Sequence, residues 1–340
     1  MSTPRAVIFA VSGTTLTEEE RAFLHDADPL GFILFARNCE TPEQTRVLTA
    51  ELRATVGRDD APVLIDQEGG TVMRLRPPNW HAAPDAERIG RLYLRDAERA
   101  RAIARAVGGL FGAELRDLGI DVDCAPVADL GRPETTGAIG TRAYSDRPPV
   151  VANLAGCMAE GLMGEGCLPV VKHLPGHGRA RVDSHRTLPR VYAGRDALSA
   201  EDFQPFRALR HLPLAMSAHV VFEAIDPGEP ATTSRIVIDD IIRGEIGFDG
   251  FLFSDDIAMS ALSGSHGERA SRVIEAGCDA VLHCTGDIAE MEDVAEAVPE
   301  LSKAAQKRWS KAQKSRKRPA DRDAKSYADD LDRLLGHEAH

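Results

Sequence analysis

Eight short apolar runs punctuate this chain, and longer stretches of helical periodicity separate them. The runs are AVIFAV (6–11), GFILF (31–35), PVLID (62–66), DVDCAPV (121–127), LPVVKH (168–173), PLAMSAHVV (213–221), GFLFSD (250–255) and DAVLHC (279–284). Each is almost continuously apolar, as a strand covered on both faces must be. Thr41-Pro42-Glu43-Gln44 opens one intervening helix, with an N-cap, a first-turn proline and Gln at the capping-box position. Val47, Leu48, Leu52 and Val56 are expected on its buried face. A second helix carries Ile103, Val107, Leu110, Phe111, Leu115 and Leu118. Ser199-x-x-Asp202 and Ser234 mark later helix starts, and Gly247 a stop. The repetition predicts a (β/α)8 TIM-type barrel as a single domain over residues 1–300. A doubly wound open sheet is the alternative, but no G-x-G-x-x-G follows the first run. The segments 67–90 and 174–198 are long for βα connections and predict irregular units where barrel enzymes build their sites.

Residues 301–340 have a different composition. Lys303, Lys307, Lys311 and Lys314 recur at helical spacing, followed by Arg316, Lys317, Arg318, Pro319 and an acidic, Leu-containing end. This reads as a C-terminal basic helical extension with a solvated face, not a separate domain. The net charge of −12 argues against nonspecific nucleic-acid binding, because phosphates would be repelled. The six cysteines form no C-x-x-C pair and sit in apolar runs, so buried reduced thiols in a reducing compartment are expected. The first 20 residues lack a secretory pattern, and no apolar segment reaches membrane-spanning length. A cytoplasmic location without membrane association is therefore expected. No protein partner is indicated.

Polar residues end several of the apolar runs: Asp66, Lys172, His173, His219 and Asp255. In a barrel, that end carries the active site. A loop rich in turn residues, with Pro175, Gly176 and Gly178, leads to Asp183-Ser184-His185. An Asp two residues from a His can hold one ring nitrogen, leaving the other to shuttle a proton near neutral pH. The run FLFSDDIAM (251–259) supplies a carboxylate at a strand end, a candidate nucleophile. Strand alternation predicts that Asp255 and Asp256 point to different sides, with Asp256 capping or orienting the next residues. Glu68 and Glu223 are rival acids. Glu68 reads as support for a tight turn at Gly69 and Gly70. No H-E-x-x-H or comparable spacing appears, so no metal site is expected, and acid, base and nucleophile chemistry needs no cofactor.

Together, VVKHLPGHG with VDSH, LIDQEGGTVMRL, GFILFARN, GIDVDCAPVADL and GFLFSDDIAM resemble glycoside hydrolase family 3. More narrowly, they resemble its single-domain bacterial β-N-acetylglucosaminidases of cell-wall recycling. The likeness implies a (β/α)8 barrel, Asp255 as nucleophile, and His185 as acid/base partnered by Asp183. It also implies Asp66, Arg74, Arg142, Lys172 and His173 as sugar-binding residues, with His177 and His219 supporting them. The implied substrate is a small carbohydrate, an N-acetylglucosaminyl-1,6-anhydromuramyl peptide. The implied reaction is retaining removal of terminal β-linked N-acetylglucosamine. Alternatives are a phosphorylase of the same family, since a His acid/base does not repel phosphate, or a silent sugar-binding protein. The chain departs from the family pattern at Thr71, Leu174 and Arg179-Ala180-Arg181, the last changing charge beside the dyad.

Overall fold

Each of the eight apolar runs contributes one strand: β1 Arg5–Phe9, β2 Pro29–Leu34, β3 Val63–Ile65, β4 Val122–Asp123, β5 Leu168–Leu174, β6 Leu214–Ser217, β7 Phe251–Asp256 and β8 Ala280–His283. They pair in chain order, all parallel, and β8 closes the barrel on β1 through Val7↔Val281 and Phe9↔His283. The computed structural model describes residues 3–132, 139–182, 187–320 and 322–336. The predicted barrel is therefore found, and the open sheet is not. Helices follow the strands, among them Glu18–Ala27, Pro42–Val56, Ala97–Asp117, Pro148–Gly164, His266–Ala276 and Ile288–Ala297. The six cysteines are buried and free. Among the described residues, no helix is long and apolar enough to cross a membrane.

Local signals mostly place the helices correctly. Thr41 caps Pro42–Val56 by accepting from the Gln44 amide at 3.2 Å. Gln44 reaches back to the Glu40 amide at 2.9 Å, one residue earlier than a capping box would. Val47 departs from expectation: it is 65% exposed, because Thr45, Leu48, Thr49 and Leu52 form the buried stripe. Ser199 also departs. Its helix begins earlier, at Arg195 after Gly194, and its hydroxyl donates to Glu245 at 2.5 Å. Ser234 does cap, accepting from the Val237 amide at 3.0 Å. Gly247 does stop that helix, at φ 77°, a conformation that favours glycine. The long 67–90 segment holds an antiparallel hairpin of Gln67–Gly69 with Val72–Met73.

Two helices, Lys303–Ser315 and Ala324–Leu335, come after the barrel units. The first inserts Trp309 against Phe251 and Phe253 of β7, with ring centroids 5.3 and 6.5 Å apart. Arg316 is not merely solvated: it donates to Asp121 at 3.0 Å and to the Gly166 carbonyl at 3.0 Å. The second lays Tyr327 over Gly109, where an added Cβ would lie 2.3 Å from the ring. Trp309→Ala should cost about 3–5 kcal/mol, because the site cannot collapse onto two fixed phenylalanines. Urea denaturation measures this, and a loss below about 1 kcal/mol would show that the helix only rests on the barrel.

Candidate active site

At the C-terminal ends of the strands lies a cavity of ≈ 260 Å³. Its lining includes Asp66, Arg74, Arg142, Lys172, His173 and Asp255, so six of the sequence-predicted residues converge there. Asp183 and His185 lie outside the described residues. A larger hollow of ≈ 720 Å³ opens at the opposite end of the barrel, lined by Arg5, His25, Asp26 and Glu300 among others. It sits where a barrel places stability residues rather than chemistry.

Two strand irregularities aim the lining inward. In β7, Phe253 aligns with Ala280 but Asp256 with Leu282, so β7 carries one extra residue against β8. Phe251 and Phe253 face Trp309 in the helix layer. Unbroken alternation would send Asp255 the same way. The extra residue turns it into the cavity instead, and the Ser254 hydroxyl accepts from the Leu282 amide at 2.9 Å. The expected opposition of Asp255 and Asp256 therefore fails: both line the cavity. The same device recurs in β5, where Val171 aligns with Ala215 but Leu174 with Ser217. Lys172 and His173, adjacent in sequence, then both line the cavity.

A row of alternating charges crosses the floor. Arg74 donates to Asp66 at 2.9 Å, and Lys172 donates to the other Asp66 oxygen at 2.7 Å. Lys172 also meets Glu68 at 2.7 Å, and Arg142 grips Glu68 with two bonds of 2.8 Å. Burial would lower Lys172, but Asp66 and Glu68 outweigh it and hold its pKa above the ordinary value. Burial would likewise raise Asp66, and Lys172 and Arg74 reverse the sign. Glu68 is lowered in the same way: burial opposes, while Arg142 and Lys172 prevail. Glu68 flanks a Gly69–Gly70 turn with φ 102° and 58°, as predicted, but its carboxylate belongs to the cavity floor. Glu223 pairs with Arg190 at 2.6 Å and is absent from the lining.

Asp255 accepts from the Asp256 amide at 2.8 Å. Burial pushes its carboxyl up, but His173 and His219, the Asp256 amide and Lys172 bring it below the usual carboxylate range. Burial raises Asp256 to about 6, reinforced by Asp255 and opposed by the Ala258 and Cys284 amides it accepts at 3.0 and 3.2 Å. Asp256 thus orients the backbone just after it, as expected. His219 supports from behind, donating from Nε2 to the Asp256 carbonyl at 2.9 Å. The sequence reading missed Asp129. This buried carboxylate meets His173 Nδ1 at 2.7 Å and accepts the His177 amide at 2.6 Å. The signal was a lone acid after the strand-like APV of APVADL. His177 lines the cavity, and burial lowers its pKa to about 4 despite Asp129. Arg179 carries no loose charge, since Asp202 and Glu201 hold it at 2.6 and 2.7 Å.

Residues 6–315 match the glycosyl hydrolase family 3 N terminal domain. A Beta-hexosaminidase of Alkalilimnicola ehrlichii is 42% identical over 282 residues, 82% of this chain and 80% of that protein. A Beta-hexosaminidase of Stenotrophomonas maltophilia is 39% identical over 289 residues, 84% of each chain. NagZ from Neisseria gonorrhoeae, solved in complex with N-trifluoroacetyl-D-glucosamine, superposes with a TM-score of 0.87 at 32% identity, covering 98% of both chains. M tuberculosis LpqI superposes at 0.77 with 28% identity, covering 93% of both. With the family match spanning nearly the whole sequence, and a closed barrel whose polar cavity sits at the expected end, the chain belongs to glycosyl hydrolase family 3.

Proposed function

We propose that the chain is a retaining, exo-acting β-N-acetylglucosaminidase. The observation that carries this is Asp255 at the tip of β7, lining a cavity of ≈ 260 Å³ together with Asp66, Lys172 and His173. That volume is below the roughly 300–1,000 Å³ of drug-sized pockets, and it suits one sugar ring rather than a chain. Asp255 would attack the anomeric carbon and form a glycosyl-enzyme. His185, held by Asp183, would protonate the leaving oxygen and then deprotonate the attacking water. Asp66 keeps acceptor capacity beyond its two cation partners, and Lys172 keeps a third ammonium hydrogen for a sugar oxygen. Arg74, Arg142 and His173 complete the hydroxyl-binding floor.

The names of the relatives and of the gonococcal neighbour support the sugar assignment. The natural substrate in this reading is N-acetylglucosaminyl-1,6-anhydro-N-acetylmuramic acid, with or without peptide, released in cell-wall recycling. The buried free thiols support a cytoplasmic setting. The enzyme should release 4-nitrophenol from the β-N-acetylglucosaminide in preference to the β-glucoside, by on the order of 10²-fold or more. The opposite preference would remove the substrate assignment. Added phosphate should leave the product as free sugar; sugar 1-phosphate would establish a phosphorylase.

A further inference from the structure

We propose that His266, His283 and Glu290 form a binding site for one zinc-class divalent ion on the outer side of the barrel, behind the cavity wall. His283 is the last residue of β8, and its neighbours Leu282 and Cys284 both line the cavity. Its own side chain therefore faces the helix layer, against the edge of Phe9 at 6.0 Å and the His266 ring at 5.2 Å. It is 0% exposed. Neither of its ring nitrogens has a hydrogen-bond partner among the described residues, and nor does Glu290 Oε2. A buried imidazole is not left in that state without cause.

The spacing supplies the cause. His283 Nε2 lies 3.6 Å from Glu290 Oε2, and His266 Nδ1 lies 3.9 Å from Glu290 Oε1. Both are too long for hydrogen bonds. Ligands about 2.0–2.1 Å from a tetrahedral zinc sit roughly 3.3 Å apart, close to the shorter of these separations. One donor atom from each residue falls within 4.8 Å of the others, so small side-chain shifts would close the triad. Two imidazoles and one carboxylate suit zinc and its later first-row neighbours, whereas calcium and magnesium prefer oxygen alone.

Access and position fit as well. The side chains of His266 and Glu290 are 21% and 35% exposed, so an ion can enter from solvent and keep a water as fourth ligand. His266 opens the helix His266–Ala276, and Glu290 lies in the first turn of Ile288–Ala297. The ion would pin both helix starts to β8. The sequence offered no warning, because the three ligands sit on three successive elements at spacings of 17 and 7 residues that match no metal-binding motif.

The test uses the full chain stripped with a chelator and titrated with Zn²⁺ alone, beside His266→Ala and Glu290→Gln. These two positions are partly exposed, so folding does not depend on them as it does on buried His283. The wild type should bind one ion more than either variant, or bind it at least about 10–100-fold more tightly. Saturating Zn²⁺ should raise its Tm more than theirs, and Co²⁺ should give a four-coordinate visible spectrum that both variants lack. Circular dichroism checks folding, and if one variant fails to fold the other decides. Absence of Zn²⁺ binding by the wild type overturns the proposal. So does a loss below about tenfold in a folded variant, which would place any bound zinc elsewhere, among the cavity histidines.

Discussion

Asp255→Asn should lower kcat/KM toward 4-nitrophenyl β-N-acetylglucosaminide by on the order of 10⁴-fold or more, since removing a nucleophile removes the covalent route itself. The amide has nearly the same shape and can still accept from the Asp256 amide, so Tm should change little. Asp256→Asn provides the contrast. Its side chain touches the Ala258 and Cys284 amides at 3.0 and 3.2 Å, and an asparagine oxygen can accept both. With a pKa of about 6, Asp256 is also the less ionised of the two carboxyls. Activity within about tenfold of wild type is expected there. If the two variants exchange behaviours, the nucleophile has been assigned to the wrong aspartate.

Lys172→Met should cost about 3–5 kcal/mol near neutral pH, because it leaves carboxylates buried without their shared cation. Glu68 keeps both bonds to Arg142, so most of the damage falls on Asp66, which retains Arg74 alone. The shifts set the pH dependence. In the wild type, Asp66 and Glu68 are depressed below 3.8 and 4.5, so their stabilisation is complete above those values and fades as pH falls through the lower folded ones. Lys172 is raised above 10.5, so its share is complete below that value and fades as pH rises through the folded one. In the variant the unpaired carboxylates take up protons more readily. The stability gap to wild type should therefore be widest near neutral pH and narrow on acidification, as urea midpoints at two pH values would reveal. A gap that stays constant or widens in acid would show that Lys172 does not neutralise those carboxylates.

The barrel was legible in the sequence because parallel strands covered on both faces must be apolar throughout, and all eight runs became strands. The floor was legible where a polar residue ended such a run, as at Asp66, Lys172 and Asp255. The errors have physical causes. An extra residue inside a strand has no composition of its own, so simple alternation separated Asp255 from Asp256 when the fold brings both to the cavity. Glu68 was read through its neighbouring glycines. The turn is real, but Arg142 and Lys172 beside it already called for a second acid next to Asp66. Asp129, two residues past the end of an apolar run, drew no notice because its partners, His173 and His177, lie more than 40 residues away. Ser199 resembled a cap, yet its hydroxyl answers Glu245 across the fold.

The extra residues in β5 and β7 divide the barrel's evolutionary freedom unevenly. A codon gained or lost in a surface connection changes only the length of a loop. One codon lost from Ser254 or from Val171 could leave each strand hydrogen-bonded and the core filled, yet rotate the carboxylate or the Lys172–His173 pair toward the helices. Such a protein would express, fold and pass a thermal assay while being inert. Indel libraries should therefore find these two strand tips intolerant of any change in length while accepting many changes of residue.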